Sequence, residues 1–247
     1  MFEQEFQQKE LISAVDGTPQ RYFVRKGRAD GPCMVFLHGH GSLGDQLMTR
    51  PDIARGWTAF LAERDFSVIS PDLRGNAWMG EPAVADLDAM LEREKTFLAW
   101  NRLYLTAGSM GGTGALIFAI RHPERIDGVA AFGAATDLET YGAWLDAQDA
   151  PVLREIRSAI AAAYPSAEAM RRNSVRLHAD RLTMPVWYLH GGADTVIPVS
   201  EARALAETMR GRPDFHYREI DGGNHDSPLS FYAETVTQLL KGKDSEQ

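Results

Sequence analysis

The chain has 247 residues, of which 34 are acidic and 26 are Lys or Arg, so its formal net charge is −8 at pH 7. This acidic balance argues against a basic surface for nucleic acids. Hydrophobic and charged fractions of 44% and 24% are those of a globular protein and exclude disordered, collagen-like and coiled-coil chains.

Short apolar or β-branched segments alternate with longer segments of helical periodicity along the chain. The predicted strands are residues 21–24, 34–37, 68–70, 103–106, 128–132, 186–189 and 216–220. The predicted helices are residues 53–64, 84–99, 111–121, 201–210 and 230–240. This alternation is typical of an α/β fold with a mostly parallel central sheet and helices on both faces. We expect one domain over residues 1–247, because α/β domains often use about 200–250 residues.

The sequence also bears on compartment and cofactors. The segment MFEQEFQQKELI has acids and glutamines where a secretory signal would need a basic start and an apolar stretch. No apolar run approaches the roughly 18 residues of a membrane span. The single cysteine, Cys33, fits a reducing compartment, and the histidines lack metal-ligand spacing. We expect a cytoplasmic protein with no membrane or nucleic-acid partner, no metal and no cofactor.

The regular alternation is interrupted at about residues 137–182. We expect helices at 152–163 and 167–179 there, and a helical insertion of this length usually folds over the end of the sheet as a lid. Three aromatic residues near it, Trp78, Tyr141 and Trp144, are candidates for the substrate pocket. The alternative is that these side chains only pack beneath the insertion.

The most informative segment is RLYLTAGSMGGTGALIFAIRHPE, residues 102–124. A predicted strand runs through Gly108-Ser109-Met110-Gly111-Gly112 directly into an apolar helix, which is the order of a nucleophile elbow with an exposed serine hydroxyl. Small residues suit that turn because it brings neighbouring backbone close. Ala107 departs from the usual G-x-S-x-G pattern by one methyl group. A Gly-rich turn with an incidental serine, or a phosphate-binding loop, remains an alternative at this point.

Acyl transfer needs two N–H donors for the oxyanion, one after the nucleophile and one from a loop after a neighbouring strand. The Met110 N–H is the first candidate. The His40 N–H, in the loop after predicted strand 34–37, is the second. We expect the His38 side chain to make structural hydrogen bonds, whereas the His40 side chain is a candidate for the pocket wall.

Two later loops carry a carboxylate and a histidine. Asp194 follows a predicted strand in HGGADTVIP, and His225 follows the last strand in GGNHD. A catalytic histidine needs a carboxylate to fix its tautomer and stabilise the imidazolium, and we favour Asp194 for that role. Asp137, after predicted strand 128–132, is the alternative acid. Asp226 is predicted to cap a helix.

Ser109, Asp194 and His225 occur in the order nucleophile, acid, histidine, each after a different strand, which is the order of the α/β-hydrolases. From about residue 21 to 240 the sequence resembles that superfamily. The motifs SMGG at 109–112 and HGGADTVIP at 190–198 are similar to those of prolyl-oligopeptidase-like catalytic domains, and of related single-domain esterases and dienelactone-hydrolase-like proteins. Dienelactone hydrolases have cysteine where this chain has Ser109.

The resemblance implies a serine carboxylic-ester hydrolase that acts on a small-molecule ester through an acyl-enzyme on Ser109. The oligopeptidases carry an N-terminal propeller for which this sequence has no room, and this favours an esterase. Two alternatives remain: a small peptidase or acyl-peptide hydrolase, and a binding protein on a hydrolase fold that has lost catalysis. The acyl length, the alcohol and the oligomeric state are not predicted.

Overall fold

Eight strands form one sheet within residues 5–241, the part of the chain that the computed structural model describes, side chains 52, 54 and 55 excepted. The strand order across the sheet is β1-β2-β4-β3-β5-β6-β7-β8. The strands are β1 (Gln7–Ile12), β2 (Pro19–Arg25), β3 (Pro32–Leu37), β4 (Ser67–Pro71), β5 (Arg102–Gly108), β6 (Gly128–Phe132), β7 (Val186–Gly191) and β8 (Phe215–Ile220).

Strands β3 to β8 pair parallel with their neighbours, whereas β1 with β2 and β2 with β4 pair antiparallel. The mostly parallel sheet confirms the expected α/β fold. All of the predicted strands are present, and β1 is additional. Its sequence, QQKELI, is polar and largely exposed because it lies at the sheet edge, so it lacks the apolar signal of a buried strand.

Most helices lie in the connections between strands, and the last one follows the final strand. They are α1 (Gln46–Thr49), α2 (Pro51–Ile53), α3 (Ala59–Glu63), α4 (Glu81–Leu98), α5 (Ser109–Arg121), α6 (Leu138–Asp146), α7 (Pro151–Ala163), α8 (Ala167–Asn173), α9 (Val199–Thr208) and α10 (Tyr232–Lys241). A π-helical turn, Ala54–Thr58, lies between α2 and α3. Turns of 3₁₀ helix are Pro123–Arg125, Val175–Arg181 and Ser227–Phe231.

The insertion between β6 and β7 differs from the prediction in two respects. Helix α6 was not predicted, and the predicted helix 167–179 is divided into α8 and a 3₁₀ turn. Ser174, with extended backbone angles, ends α8, and His178 has non-helical angles inside the 3₁₀ turn, so the helical sequence pattern does not produce one continuous helix. The predicted helix 152–163 is α7.

Both faces of the sheet are covered by apolar side chains. In β5, Leu103 and Leu105 face a core cluster shared with α4 and α5, whereas Tyr104 faces a second cluster that contains Trp57 and Tyr232. Alternate residues of a strand point to opposite faces, so a strand buried on both sides is apolar throughout. The parallel arrangement therefore brings the loops after β3, β5, β7 and β8 together at the carboxyl ends of the strands, where ligands of open α/β sheets bind.

Within the described residues, none of the helices has both the length and the apolar character required to cross a membrane.

Candidate active site

The turn from β5 to α5 places Ser109 at the carboxyl end of a central strand. Strand β5 ends at Gly108, and α5 begins at Ser109, whose φ is +58°. This left-handed backbone costs a residue with a side chain on the order of 1–3 kcal/mol, so the surrounding fold must hold it. The turn is therefore the strained strand-to-helix turn that the nucleophile elbow predicts.

Gly111 explains how α5 approaches the sheet so closely. A Cβ atom at this position would lie 2.4 Å from the Leu37 carbonyl oxygen and 2.8 Å from that of His38. Both are backbone atoms at the end of β3, so they cannot move aside as a side chain can. Gly108 differs, because its nearest contact would be the Leu229 Cδ2 atom at 2.9 Å, the end of a flexible side chain.

The imidazole of His225 lies between Ser109 and Asp194. Its Nε2 is 2.9 Å from Ser109 Oγ, and its Nδ1 is 2.7 Å from Asp194 Oδ2. The structure therefore brings together the three residues that sequence order had assigned to different loops. The side chain of His225 is 18% exposed, so a molecule from solvent can reach the serine side of this hydrogen-bonded chain.

The loop that carries His225 is held by Asn224. Its Oδ1 accepts hydrogen bonds from the backbone N–H groups of Asp226 and Ser227 at 3.1 and 3.0 Å. Asp226 precedes the 3₁₀ turn Ser227–Phe231, but its side chain makes no capping hydrogen bond to the described turn, contrary to the prediction. Asn224 satisfies the turn instead and fixes the backbone on either side of the histidine.

Asp194 is buried and accepts several hydrogen bonds. Its Oδ1 accepts from the N–H groups of Val196 and Ile197 at 2.8 and 3.0 Å, while Oδ2 faces His225. Burial by itself raises the pKa of this carboxyl, but the hydrogen bonds from His190, His225 and Ile197 outweigh it and hold the pKa well below its ordinary value. The group is therefore an anion at neutral pH.

A second histidine, His190, also contacts Asp194 and was not predicted as part of the site. It is fully buried in β7, and its Nε2 lies 2.9 Å from the Ile197 carbonyl oxygen and 3.3 Å from Asp194 Oδ2. Its Nδ1 is 3.2 Å from the Tyr188 hydroxyl. In the sequence HGGAD, Asp194 follows His190 by four residues, and the chain turns back there toward the end of β7. That spacing alone does not predict a contact between the two side chains.

The loops of Asp194 and His225 are joined to each other through backbone. The N–H of Gly192 donates to the Ile220 carbonyl and that of Ala193 to the Gly223 carbonyl, both at 2.8 Å. A Cβ at Gly191 would lie 2.2 Å from the Asn224 carbonyl oxygen, so only glycine permits this approach. The relative position of the carboxylate and the imidazole is thus set by main-chain bonds and not by flexible side chains.

Asp137, the alternative acid, is bound elsewhere. Its carboxylate caps α6 by accepting from the N–H groups of Glu139 and Thr140, and it forms an ion pair with Arg176. Ser174 also donates to it at 3.2 Å. These bonds occupy both of its oxygens within the insertion, so the geometry favours Asp194 as the partner of His225.

The two residues predicted to bind the oxyanion follow neighbouring strands of the sheet, β5 and β3. Met110 is in the first turn of α5, where helix N–H groups lack intrahelical acceptors, and His40 follows β3 in the loop opposite. Among the described residues, neither N–H has an acceptor in the hydrogen bonds of the structure. A Cβ at Gly39, the residue before His40, would be 3.9 Å from the Ser109 Cβ, so this loop passes beside the serine.

The side chains of His38 and His40 have different surroundings. His38 is buried, and its ring nitrogens lie 2.9 and 2.8 Å from the carbonyl oxygens of Gly39 and Asp72, in keeping with the expected structural role. His40 faces the insertion, where its Nε2 is 3.3 Å from Glu155 Oε1. Partial burial lowers the pKa of His40, and the nearby Glu155 opposes that shift.

A cavity of about 210 Å³ opens beside Ser109 and His225. Its walls are largely apolar and come from several parts of the chain, among them the segment after β3 and α7 of the insertion. The lining includes Phe36, Ile53, Trp57, Phe132, Val152, Ile156 and Leu229, with His40, Gln46, Arg50 and Asp226 as polar members.

The three aromatic candidates for this pocket lie elsewhere, which corrects the prediction that they line it. Trp78 is buried, and its Nε1 donates to His40 Nδ1 at 3.3 Å. Its backbone is left-handed, with a φ of +46°, which the sequence pattern does not predict. Tyr141 is buried and donates to the Val196 carbonyl at 3.0 Å. Trp144 packs on Tyr141 with ring centroids 6.0 Å apart. These side chains hold the insertion on the sheet, as the alternative interpretation of them expects.

The described residues offer no cluster of metal ligands. Among residues 5–241, His, Cys, Asp and Glu side chains form no group of three or more that could hold a metal ion.

The sequence profile of the alpha/beta hydrolase fold matches residues 32–175. A proline iminopeptidase of Neisseria gonorrhoeae is 30% identical over 133 residues, which are 51% of this chain and 40% of that protein. The chain thus matches less than half the length of this curated relative.

Solved structures are similar over most of the chain. An esterase of Pyrococcus furiosus superposes with a TM-score of 0.72 at 18% identity, over 96% of this chain and 92% of that one. A thermostable esterase superposes with a TM-score of 0.70 at 17% identity, over 97% of this chain but only 64% of that one. At these identities the likeness shows the fold.

Proposed function

The chain belongs to the family of proteins with the alpha/beta hydrolase fold, and we propose that it is a serine hydrolase of carboxylic esters. The observation that carries the proposal is the hydrogen-bonded chain from Ser109 Oγ through His225 to Asp194, at 2.9 and 2.7 Å. These lengths are within the range at which a base takes a proton from a nucleophile and a carboxylate orients that base.

In the proposed mechanism, Ser109 Oγ attacks the ester carbonyl while its proton passes to His225 Nε2. The imidazolium then donates this proton to the leaving alcohol, which departs as the acyl-enzyme forms. Water attacks the acyl group while His225 Nε2 accepts its proton. The imidazolium then returns this proton to Ser109 Oγ as the bond between that oxygen and the acyl carbon breaks, and the carboxylic acid is released. Asp194 remains an anion throughout, fixing the tautomer of His225 and stabilising its charged form.

The N–H groups of Met110 and His40 are proposed to bind the oxyanion of each tetrahedral intermediate. The N-terminus of α5 adds a partial positive charge beside Ser109. Each such donor typically contributes about 10²–10³ in turnover. The strained backbone of Ser109 supports this role, because it presents the hydroxyl and the following N–H to the same space.

The insertion is proposed to act as a lid in a single-domain enzyme. Val152 and Ile156 of α7 line the cavity beside Ser109, so the insertion contributes directly to the substrate site. The cavity is mostly apolar, which suits the hydrocarbon part of a small-molecule ester better than a charged group. We also propose a cytoplasmic location, in keeping with the single cysteine, Cys33, which is buried.

Covalent labelling tests the proposal. A fluorophosphonate should modify the wild-type protein once, with the adduct on Ser109, and should not modify Ser109→Ala or heat-denatured protein. Ser42→Ala is a matched control, because this serine lies in the loop after β3 but outside the hydrogen-bonded chain, and it should label normally. A folded wild-type protein that resists labelling would contradict the proposal and favour a binding protein without catalysis.

Peptide hydrolysis is the second candidate function. It is favoured by the local similarity to proline iminopeptidases and by Asp226, an exposed acid that lines the cavity and could bind a substrate amine. Prolyl para-nitroanilide and para-nitrophenyl butyrate, compared at equal enzyme concentration, separate the two functions. An esterase should have the larger kcat/KM for the ester, and loss of anilide hydrolysis in Asp226→Asn would instead support the peptidase.

A further inference from the structure

His190 of β7 lies next to Asp194 in a hydrogen-bond network that is closed to solvent. Its Nε2 is 2.9 Å from the Ile197 carbonyl oxygen and 3.3 Å from Asp194 Oδ2, and its Nδ1 is 3.2 Å from the Tyr188 hydroxyl oxygen. That hydroxyl in turn donates to the Ala134 carbonyl oxygen at 2.5 Å. His190, Tyr188, Ala134 and Ile197 are all 0% exposed, so solvent cannot supply a missing donor or acceptor.

The number of protons in this network follows from its acceptors. A carbonyl oxygen only accepts hydrogen bonds, so the Ala134 oxygen takes the Tyr188 proton and the Ile197 oxygen needs a proton on His190 Nε2. Because Tyr188 has donated its one proton, its oxygen must accept from His190 Nδ1. Burial raises the pKa of Tyr188 well above its ordinary value, so the hydroxyl keeps its proton. Three bonds therefore need three protons, and two of them belong to His190.

Each neutral form of His190 leaves one contact unsatisfied. With the proton on Nε2 alone, either the Nδ1 lone pair faces the Tyr188 oxygen or the Ala134 carbonyl loses its donor. With the proton on Nδ1 alone, the Nε2 lone pair faces the Ile197 carbonyl and the Asp194 carboxylate. A buried polar group without a partner costs about 1–3 kcal/mol. The cationic form satisfies every contact, and a buried charge is tolerated where a paired carboxylate compensates it.

We propose that His190 carries two protons, forms a buried ion pair with Asp194, and is a positioning residue that keeps His225 neutral and able to act as a base. The inference rests on the proposed ester hydrolysis and concerns the same site. His190 Nε2 and His225 Nδ1 contact the same oxygen, Asp194 Oδ2, at 3.3 and 2.7 Å, so one carboxylate serves two imidazoles. A positive charge this close disfavours protonation of His225 in the free enzyme. In the tetrahedral intermediate, the oxyanion supplies the compensating negative charge.

The other charged groups near His190 have partners of their own. The titratable and charged groups that face this region from other elements are Glu219 and Tyr217 of β8, Glu201 of α9, Tyr141 of α6 and His225. Glu219 pairs with Arg203 at the surface, and Glu201 accepts hydrogen bonds from backbone N–H groups. Among the described residues, the carboxylate within ion-pair distance of the His190 ring is that of Asp194.

His38 is buried between two acceptors as well, but its surroundings differ. The carbonyl oxygens of Gly39 and Asp72 lie 2.9 and 2.8 Å from its ring nitrogens. The Gly39 carbonyl also accepts from the Ser42 N–H at 3.1 Å, so it does not depend on the histidine. The Asp72 carboxylate pairs with Arg21 and not with the His38 ring, so it does not compensate a second proton there.

His40 provides an internal reference with the opposite expectation. Its Nδ1 is 3.3 Å from Trp78 Nε1, and an indole nitrogen can only donate. His40 Nδ1 is therefore an acceptor without a proton, and this ring carries its single proton on Nε2. The two histidines can be compared in one sample of the wild-type protein.

Nuclear magnetic resonance of the wild-type protein, labelled with nitrogen-15 in histidine, tests the protonation directly. At pH 7 both ring nitrogens of His190 should carry a proton, whereas His40 should carry one, on Nε2. The His190 signals are assigned through contacts between its ring and the Tyr188 ring, whose centroids are 5.9 Å apart. A His190 ring with a single protonated nitrogen at pH 7 would overturn the proposal.

The second experiment separates the charge of His190 from its hydrogen bonds. His190→Gln keeps an N–H donor toward Asp194 but carries no charge. The acid limb of kcat/KM for para-nitrophenyl butyrate should move to higher pH by on the order of one pH unit, because His225 then takes up a proton more readily. His216→Gln is the matched control, since His216 is exposed on β8, and it should leave the acid limb in place.

A purely structural role for His190 gives a different result. In that case His190→Gln lowers the midpoint of urea unfolding without moving the acid limb, and this outcome overturns the proposal. His190→Leu removes the charge and the donor together, so it should lower kcat more than His190→Gln does. Equal kcat values for the two variants would show that the donor does not position Asp194.

Failure of the inference is distinguishable from failure of the proposed function. If no ester is hydrolysed and a fluorophosphonate does not label Ser109, the proposed function is wrong, and the wild-type spectra still decide the protonation of His190. The same spectra decide it if His190→Gln does not fold. If esters are hydrolysed but His190 carries one proton, the inference is wrong and ester hydrolysis stands.

Discussion

His225 Nδ1 lies 2.7 Å from Asp194 Oδ2, and this carboxylate is also held by two backbone N–H groups and by His190. Asp194→Asn should therefore lower kcat by up to about 10⁴-fold, because an amide cannot stabilise the imidazolium and selects the wrong tautomer. The check is steady-state hydrolysis of para-nitrophenyl butyrate by folded variant protein.

Asp137→Asn is the control for that prediction. An asparagine can still cap α6, but the ion pair with Arg176 is lost, so the variant should lose on the order of 1–3 kcal/mol of stability and little kcat. Stability is measured by urea unfolding. If Asp137→Asn reduces kcat more than Asp194→Asn does, the acid has been assigned to the wrong loop.

The depressed pKa of Asp194 predicts how stability depends on pH. Burial opposes the shift, but hydrogen bonds from His190 and His225 make the folded-state pKa lower than the unfolded one. The unfolded chain then binds the proton more readily, so the stabilisation is complete above the ordinary Asp pKa of about 3.9 and is lost as pH falls through the folded value. Urea unfolding from about pH 5 downward should therefore show a shallower loss of stability in Asp194→Asn than in the wild type. Parallel curves would contradict this prediction.

The two glycines that flank the serine should respond differently to alanine. Gly111→Ala drives a Cβ into the carbonyl oxygens of Leu37 and His38, whereas Gly108→Ala meets only the movable end of Leu229. We expect Gly111→Ala to destabilise the protein by about 1–3 kcal/mol or more and to impair hydrolysis, since it displaces α5 from β3. Gly108→Ala should cost less. Equal urea midpoints for the two variants would show that the close approach of α5 to β3 is not needed.

Helix α7 should determine which acyl groups fit. Val152 lines the cavity at its exposed side, so Val152→Trp should narrow the space and lower kcat/KM for para-nitrophenyl butyrate more than for the acetate. Excluding the two additional methylene groups of butyrate should lower the ratio of kcat/KM for butyrate to kcat/KM for acetate by roughly 10-fold or more. Trp144→Phe is the control, because Trp144 packs on Tyr141 away from the cavity and should leave the ratio unchanged. If Trp144→Phe changes the ratio and Val152→Trp does not, the aromatic residues of the insertion line the substrate pocket.

The sequence predicted the sheet and the juxtaposition of Ser109, Asp194 and His225 because each follows a separate parallel strand. The carboxyl ends of parallel strands meet at one edge, so strand order suffices to bring such residues together. The pocket wall could not be predicted in the same way. Trp57 and Ile156 reach the cavity through the packing of a π-helical turn and of α7, which local periodicity does not encode.

His190 shows a second limit of sequence reasoning. His190 lies inside a buried apolar strand, where a histidine is ordinarily a satisfied core residue, and only the return of the Asp194 loop brings the two into contact. A residue of this kind is identified from the hydrogen-bond partners of buried polar groups in the structure, not from the spacing of residues in the sequence.

The most direct test is hydrolysis of para-nitrophenyl acetate and butyrate by the wild-type protein beside Ser109→Ala, at equal concentration and with folding checked by circular dichroism. Removal of the nucleophile should lower turnover by on the order of 10⁶-fold, as loss of a serine of this kind does in serine hydrolases. Measurable wild-type turnover that disappears in the variant is the predicted result. Equal rates in the two proteins would contradict an acyl-enzyme on Ser109.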